Sequence, residues 1–94
     1  MHTPNQRTLD LLAQLRDHAQ TIDVEDGAYL DEMRKLARDY GDWLSGKWTP
    51  TADRAREYFS ERLFCAIEYA QDGGWHDQAA ALIAIRPDIT GEDE

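Results

Sequence analysis

Apolar side chains recur along this chain at steps of three and four, close to the period of an α-helix (about 3.6 residues). No stretch alternates with period two for long enough to suggest a strand, and no segment repeats at a fixed interval. The first helix is expected to begin at Thr3-Pro4, where a hydroxyl can cap and a proline suits the first helical position. Leu11, Leu12, Leu15, Ala19 and Ile22 share one face of it, with Asp10, Gln14 and Asp17 opposite. It should stop near Asp23, because the run Asp23-Val24-Glu25-Asp26-Gly27 is turn-prone and has no period.

The second helix has the clearest pattern. Tyr29, Leu30, Met33, Leu36, Ala37, Tyr40 and Leu44 form its stripe, and Asp31, Arg34, Lys35, Arg38, Asp39 and Asp42 fill the other side. The pairs Asp31→Lys35 and Arg38→Asp42 lie one turn apart and are worth roughly 0.2–0.5 kcal/mol each. Asp26 is the expected cap at its start, and Ser45-Gly46 the stop at its end. A third helix starts at Thr49-Pro50 or Thr51 and runs to Gly73-Gly74, with Ala52, Ala55, Phe59, Leu63, Ala66 and Ala70 as a core face rich in alanine. A shorter fourth, about Trp75 to Ile85, places Ala79, Leu82 and Ile83 inward and is closed by Pro87. Short connections make neighbouring helices antiparallel. The expectation is therefore an all-α fold, a small antiparallel bundle of three to four helices. Residues 1–87 form one helical domain, and residues 88–94 an acidic, flexible tail.

Composition narrows the class. With 94 residues there is one core and no second lobe, and 41% apolar content is enough to fold it. Ten Lys and Arg against nineteen Asp and Glu leave a formal charge of −9. Such a surface disfavours direct nucleic-acid binding, which needs cations to displace counterions, and it disfavours anionic lipid. A single cysteine makes no internal disulfide, and no apolar run nears the roughly 20 residues that span a bilayer. The first residues show neither the basic start nor the apolar stretch of a secretory signal. A cytoplasmic setting is expected.

Candidate chemistry is sparse. Cys65 lies within Leu63-Phe64-Cys65-Ala66-Ile67, which suits packing better than nucleophilic attack. His2, His18 and His76 have no i,i+4 partner for a helical metal pair. The acidic loop fails the calcium-loop pattern, since counting from Asp23 puts Gly27 at position five and Arg34 at position twelve. Glu57/Glu61 and Glu68/Asp72 are carboxylate pairs, but nothing in the sequence places them in the desolvated cleft that acid–base catalysis requires. No phosphate loop or nucleotide fingerprint occurs. No enzyme activity, metal or cofactor is expected.

One constellation stands out on the third helix. At about 100° per residue, Glu57, Glu61, Glu68 and Asp72 fall within roughly 60° of one another, opposite the core face, with Phe64 at their edge. Tyr58, Cys65 and Tyr69 form a flanking line. The bland reading has these carboxylates as a solvated face and Phe64 packed beneath the fourth helix. The functional reading makes Phe64, with Tyr58 or Tyr69, an exposed anchor ringed by negative charge. A buried aromatic ring is worth roughly 1.5–3 kcal/mol, against roughly 0–1 for an exposed ion pair. The ring would hold a partner, and the carboxylates would choose and steer it. Four acids along about 22 Å of helix can stand in for a row of phosphates and occupy a basic groove meant for nucleic acid. In size, acidity and lack of a catalytic motif the chain is similar to small phage-encoded inhibitors of bacterial defence, anti-CRISPR proteins among them. No motif carries that likeness. The expected function is a non-enzymatic inhibitor or adaptor that docks this face on a basic surface of another protein. The competing expectation is an accessory subunit that forms a homodimer through Tyr58, Phe64, Tyr69 and the tryptophans Trp43, Trp48 and Trp75.

Overall fold

The computed structural model describes residues 3–91. Among them, four helices follow in chain order: α1 (Gln6–Ile22), α2 (Ala28–Ser45), α3 (Ala52–Asp72) and α4 (His76–Thr90), with no strand. Capping explains most of the boundaries. α1 starts after Asn5 rather than at Pro4, because the extended Asn5 turns its carboxamide oxygen onto the Thr8 N–H at 2.9 Å. The Asn5 N–H in turn donates to the Tyr40 hydroxyl at 2.9 Å, which ties the start of α1 to α2.

Asp23 both closes α1 and opens α2. Its own N–H donates to the Ala19 carbonyl at 2.9 Å, while its carboxylate accepts from the N–H groups of Gly27 and Leu30, each at 3.1 Å. Those are donors that a helix start leaves without intrahelical partners. Asp26 therefore does not cap α2; the capping carboxylate comes from three residues earlier. Gly27, at φ +79°, holds the left-handed turn that brings the chain back under Asp23. Thr51 caps α3 through Arg54 N–H at 3.2 Å. The α3–α4 turn is tight, with Trp75 N–H bonded to the Ala70 carbonyl at 2.8 Å. A Cβ on Gly73 would stand 2.7 Å from the Trp75 ring, so only glycine fits there without moving the indole.

The fourth helix departs from expectation. Pro87 lies inside α4 instead of ending it, and Asp88, Ile89 and Thr90 continue the helix. Proline removes one backbone bond and costs about 3 kcal/mol in a helix interior. Continuing the helix buries Ile89 completely and leaves Thr90 3% exposed, which offsets much of that cost. The boundary drawn at Pro87 thus moves to Thr90, and residues 92–94 of the expected tail lie outside the described residues.

The helices form a ring in which α1 packs on α2, α2 on α3, α3 on α4, and α4 closes on α1. The α3/α4 contact is the broadest and the α1/α4 contact the narrowest. Asp39 meets Tyr58 while Glu32 meets Arg62, so α2 and α3 run antiparallel. Tyr29, Tyr40, Phe59, Met33, Leu36 and Leu63 are among the largest wholly buried side chains. At one end Phe59 lies within 5.8 Å, ring centre to ring centre, of Tyr40, Trp43, Trp48 and Tyr58. At the other, Tyr29 packs on Trp75 at 5.4 Å and its hydroxyl donates to Gln78 at 2.8 Å. Ile83 was expected inside, but it is 52% exposed. α4 is apolar around most of its circumference, so periodicity alone does not choose its inner face.

Burial gives the fold an alkaline limit. The phenols of Tyr29, Tyr40 and Tyr58 all resist ionisation, chiefly because burial penalises the phenolate; at Tyr58 the Asp39 carboxylate adds to it. A folded-state pKa above the unfolded value of about 10 gives stability that is whole below that pH. It is lost as pH rises through the folded value. The tyrosine contribution to the urea midpoint should accordingly be constant below pH ~10 and fall above it. Tyr29→Phe, which cannot ionise, should lower the midpoint at neutral pH but make the alkaline fall shallower.

Candidate functional site

α3 is unbroken from Ala52 to Asp72, so the face read from the sequence exists as one surface. Ala55, Phe59, Leu63, Ala66 and Ala70 are buried along its inner side. Glu57, Glu61, Glu68 and Asp72 are all exposed on its outer side. Among the described residues none of these four carboxylates enters an ion pair; of the helix's arginines, Arg56 pairs with Asp53 at 3.8 Å and Arg62 with Glu32 at 3.4 Å, and Arg54 borders an open groove with Asp39 and Asp42 of α2. Phe64 stands among them 63% exposed. It is not packed beneath α4.

The flanking aromatic line divides. Tyr58 is half-buried and donates a short hydrogen bond to the Asp39 carboxylate. The Arg62 guanidinium lies over its ring, 5.4 Å from the centre, and Trp48 packs edge-on at 5.2 Å. These contacts turn Tyr58 toward α2, so it braces the helix pair instead of joining Phe64. Cys65 is half-buried. Tyr69 remains 41% exposed and lines an open groove of about 460 Å³ with Asp72, Glu25, Asp26 and Trp75 at one end of the bundle. The structure therefore brings Glu57, Glu61, Phe64, Glu68 and Asp72 together, keeps Tyr69 at their end, and separates Tyr58 from them.

The tryptophans serve the interior. Trp43, Trp48 and Trp75 are each half-buried against the core, Trp43 stacked on Phe59 at 5.6 Å. His18, His76 and Asp77 line a second open groove of about 350 Å³ where α1 meets the start of α4. Among the described residues no group of three or more His, Cys, Asp or Glu side chains is placed to hold a metal ion. Among them, too, no helix is long and apolar enough to cross a membrane.

One outward feature escaped the sequence reading. Ala80, Ile83, Ala84 and Pro87 recur at helical spacing, and of these only Pro87 is even half-buried. That spacing was the available signal, hidden because Ile83 was assigned to the core. The chain matches no protein-family model, and neither curated proteins nor solved structures show a match to it.

Proposed function

We propose that the protein is a non-enzymatic binding module of the cytoplasm, an inhibitor or adaptor that docks the outer face of α3 on a basic surface of a partner protein. The observation that carries this reading is Phe64, 63% exposed among exposed carboxylates on an unbroken helix. A large apolar ring held in solvent gains free energy only when something covers it. Carboxylates that pair with no cation of their own keep their field available to an incoming one. A row of such charges also imitates a phosphate backbone. That suits occupation of a nucleic-acid-binding groove, the mode of action of a phage-encoded anti-defence inhibitor.

The test compares this chain and its variants as immobilised baits in native lysate at low and high salt, followed by kinetics on the captured protein. Glu57→Gln, Glu61→Gln and Glu68→Gln together should slow association about tenfold at low salt and flatten its salt dependence. Phe64→Ala should raise the dissociation rate about tenfold, the effect of roughly 1.4 kcal/mol of lost burial. Asp10→Asn with Asp17→Asn, on the exposed side of α1, serves as the charge control and should change the association rate far less. Kinetics that respond equally to all three sets, or to none, would remove α3 from the interface.

A further inference from the structure

We propose that the seam between α3 and α4 seats a basic amphipathic helix of the partner, an inference that rests on the docking reading above and names the shape and chemistry of its occupant. Phe64 lies toward the α4 edge of α3. Tyr58 and Arg62 mark the α2 side of that helix through their bonds to Asp39 and Glu32. At about 100° per residue, the order outward from α2 is the carboxylates first and Phe64 after them. On α4, Gln78 turns inward to Tyr29, and Asp77 and Gln78 line the groove shared with His18 and Ile22 of α1. The opposite flank of α4, the one nearer α3, carries Ile83.

The register follows from the tight turn. Phe64 precedes Ala70 by six positions and Ile83 follows Trp75 by eight, with Ala70 and Trp75 bonded to each other. Two exposed apolar side chains, 63% and 52% accessible, therefore stand at nearly the same height on adjoining flanks of the most broadly packed helix pair. Ala80, Ala84 and Pro87 extend this floor along α4 with short side chains, so another backbone can come close.

The outer borders of the floor are acidic, while the exposed Arg86 falls near Ile83 on the α3 flank of α4. Glu57, Glu61 and Glu68 line it on α3, and exposed Asp77 and Asp88 line it on the far side of α4. The exposed Arg56 lies toward one end, paired with Asp53 at 3.8 Å. An apolar strip between two anionic rims is complementary to a helix with an apolar stripe flanked by Lys or Arg. Such a helix lays its stripe into a groove and pairs its margins with the rims. The same rims discriminate against the other occupants. A second copy of this chain would bring its own rims against them, and each chain carries a formal charge of −9. An anionic membrane would be repelled likewise.

The test uses a probe of defined chemistry, a Leu/Lys peptide of about 18 residues, roughly 27 Å as a helix, with its leucines on one face. A scrambled peptide of the same composition and charge is the control. Amide chemical-shift changes on the full chain should localise to α3 and α4, and the patterned peptide should bind about tenfold more tightly than the scrambled one. Ile83→Ser and Phe64→Ala should each weaken it about tenfold; both side chains are exposed, so the variants should melt close to the parent chain, which thermal denaturation checks. The triple Glu→Gln chain should weaken both peptides. Should Ile83→Ser leave the patterned peptide's affinity unchanged, or the scrambled peptide bind as well, the seam is not the seat; the acidic-face reading survives if the triple variant still weakens binding. If the triple variant has no effect either, both fall. Concentration-dependent dimerisation abolished by Ile83→Ser would assign the seam to a second copy and overturn the proposal.

Discussion

Phe59→Ala should cost about 3–5 kcal/mol, a large part of the total on the order of 5–15 kcal/mol that holds such a domain together. Phe59 is wholly buried, and four other rings surround it, contributed by α2, the α2–α3 connection and α3 itself. Alanine removes the ring on which Trp43 stacks and that Tyr40, Trp48 and Tyr58 meet edge-on. All four neighbours are themselves wide and stiff, so the space cannot collapse, and an unfilled cavity adds to the lost transfer energy. Urea unfolding followed by tryptophan fluorescence checks this directly, because Trp43 and Trp48 adjoin the cavity. A loss below about 1.5 kcal/mol, the range of volume-conserving core exchanges, would mean the cluster repacks and the aromatic end is not the anchor of the fold.

The second large effect is an asymmetry. Glu32 is 8% exposed on α2; one carboxylate oxygen meets Arg62 at a long 3.4 Å, and the other, buried, has no hydrogen-bond partner among the described residues. Breaking this pair from its two sides has opposite consequences. Arg62→Met leaves the carboxylate desolvated without its counter-ion and should cost about 1–3 kcal/mol, no more, because the arginine side chain is 36% exposed and water already screens the pair. Glu32→Met removes the buried charge altogether and should leave stability unchanged or raise it by up to roughly 2 kcal/mol. With both residues changed, most of the Arg62→Met loss should return. Denaturant midpoints of the four chains settle the order. A Glu32→Met chain less stable than Arg62→Met would show that the pair is a net support of the α2/α3 contact.

Glu32 also marks where sequence reasoning reaches its limit. The stripe on α2 was legible because Tyr29, Met33, Leu36, Ala37 and Tyr40 are large or apolar and alternate with charges; all five are buried. A glutamate at the margin of that stripe carries no sign of whether its carboxylate faces water or a neighbouring helix. The α3 face was legible for the same reason as the α2 stripe: a wholly apolar side fixes where the opposite side must point. Tyr58 was misplaced because a tyrosine can supply either an anchor ring or a bracing hydroxyl, and only the nearness of Asp39 and Arg62 decides between them. α4 was read least well. Its alanines and isoleucines satisfy several inward faces equally. The penalty of Pro87 looked decisive until the burial of Ile89 on the next turn was counted against it. The cap at the start of α2 was missed by three residues for a geometric reason: one folded-back aspartate serves two helix ends, which linear spacing does not reveal.

The ring of helices does not close evenly. Since α4 meets α1 over a short stretch only, while α1 leans broadly on α2 and α4 on α3, the molecule is built as two leaves joined along α2 and α3 and pinned at one end by Tyr29 against Trp75 and Gln78. Thermal breathing should part the free margin first, loosening the leaf of α1 and α2 at that side while the other stays shut on itself. The seam proposed for recognition lies entirely within the closed leaf, so opening the book leaves its page intact.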